Sequence, residues 1–135
     1  MRKFTLSIFI FFFANTSNAQ ALNEEELIGS WKVVHVLNEE SNENLKELMR
    51  SFETVIFQFT QLHEFKLTSN LNTELFIRFA DITKNSYWKL NPEKQILIGN
   101  SENNYSVIKI GTQFENEKII FTFEETPIRL EVQRN

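Results

Sequence analysis

Residues 27–37 read Leu-Ile-Gly-Ser-Trp-Lys-Val-Val-His-Val-Leu, a Gly-Ser-Trp step set directly before a β-branched run. The chain has only three glycines and two tryptophans, so a glycine two residues ahead of a tryptophan needs a physical reason. After the step, period-two alternation puts Trp31, Val33, His35 and Leu37 on one face of a strand. That face sets the pattern for the rest of the chain.

Further short segments with strand character follow. They are 54–60, 64–68, 87–90, 95–98, 105–110, 118–123 and 127–134. Asn91-Pro92-Glu93-Lys94 suits a turn, because proline fixes φ where the turn needs it. Glu115-Asn116-Glu117 is a polar connection, and Pro127 can open the last strand without costing a ladder bond. Eight strands joined mostly by short turns favour an all-β, antiparallel up-and-down barrel. With an even count the last strand runs antiparallel to the first, and closing the barrel removes the free edges.

Two segments depart from the meander. In Ser41–Phe52, Leu45, Leu48, Met49 and Phe52 fall at i, i+3, i+4 and i+7, with Ser41 a plausible N-cap and Glu43 in the first turn. This predicts one short amphipathic helix between the first two strands. In residues 71–82, Leu75, Ile77 and Phe79 alternate as in a strand, while Leu71, Leu75 and Phe79 also fit a helix. A ninth full strand would make the closing pair parallel, so this segment reads as an accessory of either type.

Alternation predicts an inward set rich in aromatic rings. It includes Val55, Phe57 and Phe59; Phe65 and Leu67; Trp88 and Leu90; Ile119, Phe121 and Phe123; and Ile128, Leu130 and Val132. Arg129, Glu131 and Gln133 fall on the outer face, and Arg134 shares the inward parity at the strand end. Such an interior is either a solid core or an apolar cavity for one small hydrophobic ligand. In the second case Phe57, Phe59, Phe65, Trp88, Phe121 and Phe123 are the expected ligand-binding residues.

Gly29-Ser30-Trp31 at the head of the first strand resembles the G-x-W signature of lipocalins. The hairpin from Tyr87 to Ile98 is similar to a hairpin of small lipocalin-like domains in secreted bacterial proteins. The resemblance covers roughly residues 27–134. It implies that Trp31 closes the base of the barrel with an arginine of a late strand across its ring, a role that Arg134 fits. Gly29, lacking Cβ, would let the chain bend beneath the ring. It further implies that the helix carrying Leu45, Leu48, Met49 and Phe52 is a lid at the opposite end. Long lipocalins have disulfides and a C-terminal helix, which this chain lacks.

The N-terminus bears on compartment. A basic start (Met1-Arg2-Lys3), an apolar run and small residues up to Ala19 predict a signal peptide over 1–19, cleaved before Gln20. The apolar run is about ten residues, where a membrane-spanning helix needs about 20. The expected domain is then 20–135, secreted or periplasmic, with no stable membrane insertion. Cleavage removes Arg2 and Lys3, so 14 basic side chains become 12 against 18 acidic ones, and the formal charge moves from −4 to −6. Such a balance does not suit nucleic acid, whose phosphates need neutralising. With no cysteine there is no lipoprotein anchor site and no disulfide, so the fold must stand on its hydrophobic core.

Catalytic chemistry finds no support. His35 and His63 stand outside any metal-ligand spacing. On the alternation His35 is a core histidine, and His63, beside Glu64 in a tight turn, is solvated. There is no nucleophile elbow and no thiol. The expectation is a non-enzymatic protein with no cofactor and no metal. It either carries a small apolar molecule in its interior or presents its outer surface to another exported protein.

Overall fold

A computed structural model describes residues 22–37 and 43–135, leaving out the side chains of residues 44 and 45. The expected leader and its cleavage site lie outside the described residues. In chain order the elements are α1 (Glu24–Leu27), β1 (Gly29–Val36), α2 (Glu43–Phe52), β2 (Ile56–Phe59), β3 (Glu64–Thr68), α3 (Glu74–Ile82), β4 (Ser86–Leu90), β5 (Ile96–Gly99), β6 (Ile108–Glu115), β7 (Lys118–Phe123) and β8 (Arg129–Arg134). Each strand pairs antiparallel with the next, and β8 pairs antiparallel with β1. The eight strands form a closed up-and-down barrel.

The turns follow from local chemistry. Between β6 and β7 only Asn116 and Glu117 intervene, both with positive φ (52° and 67°), the primed geometry that matches strand twist. Between β4 and β5 the Asn91 side-chain oxygen accepts from the Gln95 N–H at 2.8 Å, while Pro92 occupies the bend. The core lies inside the barrel. Trp31, Phe57, Phe59, Phe65, Trp88, Ile96, Ile98, Ile110, Phe121, Phe123, Leu130 and Val132 are all buried there.

Two expectations are corrected, and one open alternative is settled. First, His35 and Leu37 do not face the core. Val33 pairs with Val132 and His35 with Glu131, so Val34 is an extra residue in β1. One inserted residue reverses every later side chain. The His35 side chain is therefore 69% exposed beside Glu131, and Val36 takes the inward place.

Second, the strand expected at 105–110 begins later, at Ile108, and runs on to Glu115. Residues 100–104 are polar, and Asn100 Oδ1 accepts from the Glu102 and Asn103 N–H groups. These local bonds hold a turn in place of a ladder. Gly99 makes the turn fit, because at φ 154° an added Cβ would stand 2.7 Å from Tyr105 Cα.

The segment that fits either type is a helix over residues 74–82. Thr73 caps it by accepting from the Phe76 N–H at 3.3 Å. Its inward face is Phe76, Phe79 and Ala80; of the strand-like set only Phe79 packs on the core, and Ile77 is exposed.

Candidate functional site

The base of the barrel is built around the Gly-Ser-Trp step. Gly29 has φ 132°, a left-handed conformation that favours glycine, and a Cβ there would lie 2.9 Å from Arg134 Nη1. Trp31 is buried, and its Nε1–H donates to the Leu27 carbonyl at 2.9 Å. Trp31 pairs with Arg134 across the closing ladder. The guanidinium stands 4.6 Å from the indole centre, within cation–π reach, and donates to the carbonyls of Ile28 (3.0 Å) and Glu26. These are carbonyls at the end of α1, which an arginine is suited to satisfy. Gly29, Trp31 and Arg134 thus share one place.

The other tryptophan anchors the same end from the far wall. Trp88 Nε1–H donates to the Thr60 carbonyl at 3.1 Å. His63 stacks on its ring at 4.4 Å and 6°, with Nδ1 3.1 Å from the Trp88 carbonyl and Nε2 3.2 Å from a Glu24 oxygen. His63, expected to be solvated, keeps 39% of its side chain exposed but has one face on the indole. The positive φ of its turn (69°) brings the ring onto the indole.

At the opposite end, α2 covers the interior with Phe52 as its plug. Phe52 is fully buried against Phe123 at 5.5 Å, Phe79 at 5.5 Å and Phe76 at 5.8 Å. Met49 is buried, and Leu48 packs half-buried on the same cluster. The Leu45 side chain lies outside the described residues. The cover has a second member, α3, and the hydroxyls of Ser51 and Thr73 tie the two helices at 2.8 Å. The sequence carried a signal for α3, since Thr73 followed by Glu74 is an N-cap pattern.

Between the two ends, the six rings expected to line a ligand site are in contact with one another. Phe57 meets Phe121 at 5.4 Å and Phe123 at 6.1 Å, and Phe59 meets Phe65 at 5.5 Å and Trp88 at 5.8 Å. None of the six is more than 4% exposed. Ring centres at these separations are those of a packed aromatic core. Thr112, on the barrel wall, pairs with Phe121, and its Oγ1 is buried with no hydrogen bond among the described residues.

Concavity is also present on the outside. A groove of about 540 Å³ runs where β3 and β4 separate. Phe65, Leu67, Ala80 and Tyr87 supply its apolar lining, and Glu64, Lys66, Asp81 and Lys84 its charged one. A second, of about 580 Å³, lies beside α3 along Phe79, Ile82, Leu97 and Ile108. Asp81 and Lys84 are not legible in the sequence as groove residues, because the packing of α3 against the barrel brings this wall to β3. Among the described residues no cluster of three or more His, Cys, Asp or Glu is arranged to hold a metal ion, and no helix is long and apolar enough to cross a membrane. Comparison with protein-family models, curated proteins and solved structures gave no match.

Proposed function

We propose that this chain is an exported, lipocalin-like barrel without enzymatic activity that acts as a protein-interaction module through its outer surface. The observation that supports this reading is the interior itself. The six rings that would have to contact a ligand contact each other instead, and all are buried. A ligand of useful size would have to displace a packed core, whose cavities are costly to open. The leader-like N-terminus supports export. Titration with an environment-sensitive fatty-acid analogue is expected to give no saturable signal. A saturable, stoichiometric rise in fluorescence would overturn the proposal.

Thr112 favours a second reading. Its unpartnered hydroxyl, beside Phe121, would be satisfied by the polar group of a small, mostly apolar ligand held under α2 and α3. In that case Thr112→Val should abolish uptake of the same probe.

A further inference from the structure

We infer that the groove between β3 and β4 is a docking site for an extended peptide segment of a partner protein, added as a strand to the open edge of β3. This rests on the surface-binding reading and names the surface. The ladder between β3 and β4 has two pairs, Glu64–Tyr87 and Phe65–Ser86, and then stops. The neighbouring β2–β3 ladder continues through Lys66, Leu67 and Thr68. The chain between β3 and β4 carries α3, and Ala80, Asp81 and Lys84 form the wall that faces β3 across the gap.

The phase of the ladder sets which groups are left. The Thr60 N–H donates to the Glu64 carbonyl at 2.9 Å, so bonded pairs recur at Gln58–Lys66 and Ile56–Thr68. Leu67 therefore turns its N–H and carbonyl away from β2, toward the groove. The Trp88 N–H to His63 carbonyl bond (2.8 Å) sets the matching phase on β4, where Leu67 would pair with Lys84. That pair does not form, and no other partner of the Leu67 backbone occurs among the described residues. An extended main chain is the occupant whose donors and acceptors match such an edge.

The side chains specify the segment further. Glu64, Lys66, Asp81 and Lys84 line the groove, and none is in an ion pair among the described residues. Two free cations and two free carboxylates complement a segment that carries both charges on its outward positions. Its alternate, inward positions would be small and apolar, against Leu67 and Ala80. A second copy of this chain fits less well, since both copies carry a net negative charge, −4 for the full chain and −6 without the leader.

The test is to select random linear peptides displayed on phage against the purified protein. The selected peptides are then mapped by amide chemical shifts and by N-methyl scanning. Shifts confined to residues 66–68 and 83–87 are expected. N-methylation in one alternate phase should weaken binding by about tenfold or more, the loss of roughly one ladder bond, and in the other phase should leave it nearly unchanged. Charge reversal at the rim (Lys66→Glu) should weaken the same peptides. Failure to select any peptide, indifference to N-methylation, or self-association through this edge would overturn the inference. Peptides whose shifts map to another face would also overturn it, yet leave the surface-binding reading standing. Saturable uptake of an apolar probe in the lumen would instead defeat that reading.

Discussion

Arg134 and Trp31 face each other across the β1–β8 ladder, with the guanidinium 4.6 Å from the indole centre. The same guanidinium donates to the Ile28 carbonyl at 3.0 Å. One side chain thereby joins the last strand, the first strand and the short helix ahead of it. Arg134→Ala is expected to cost about 1 kcal/mol through lost packing and lost charge together. Arg129→Ala on the outer face, where an ion pair to Glu115 at 2.9 Å is partly exposed, should cost less than about half of that. Urea titrations of the two variants decide it, and equal midpoints would contradict the closure.

Gly29 is held to its identity twice over, by φ 132° and by the 2.9 Å approach of Arg134 to an added Cβ. Gly29→Ala should destabilise by about 1–3 kcal/mol, the usual cost of strained backbone. Combining it with Arg134→Ala should give less than the sum, because the crowding is then relieved. Additive effects in a double-mutant cycle would show that the two residues are not coupled.

At the other end Phe52 is fully buried against three phenylalanines, two of them on α3. Phe52→Ala should cost about 3–5 kcal/mol and raise hydrogen exchange in α2 and α3 together. Leu48→Ala, on a half-buried side chain of the same helix, should cost clearly less. Independent exchange of the two helices would mean that they do not form one cover.

How far the fold was legible depended on how strictly each segment kept its period. The first strand and the last revealed the barrel and its closing pair, because the Trp31–Arg134 pairing lies outside the irregularity in β1. Beyond Val33 the alternation misled. A bulge leaves no mark in a run of valines, since Val34 and Val36 are as apolar as Val33. The start of β6 was hidden for another reason. Tyr105 has strand character, but Asn100, Asn103 and Gly99 hold it in a turn, and Tyr105 itself has φ 54°. The six interior rings were readable from parity alone. Whether they enclose space depends on ring-to-ring distances, which parity does not contain. The groove was not readable at all, because it exists only where α3 is inserted between two strands.

The leader proposed over residues 1–19 carries its own expectation. N-terminal sequencing of protein recovered from the periplasm or medium should return Gln20 as the first residue, consistent with Ser17 and Ala19 at the −3 and −1 positions of the cleavage site. Recovery of intact Met1 would contradict it.

Native mass spectrometry of protein purified without detergent measures the occupancy of the interior most directly. With Phe57, Phe59, Trp88 and Phe121 packed on one another, the expected spectrum is that of the polypeptide alone, with nothing apolar in its organic extract. A stoichiometric adduct that is released on unfolding and recovered as a small apolar molecule would show that the lumen, not the outer surface, is where this barrel binds.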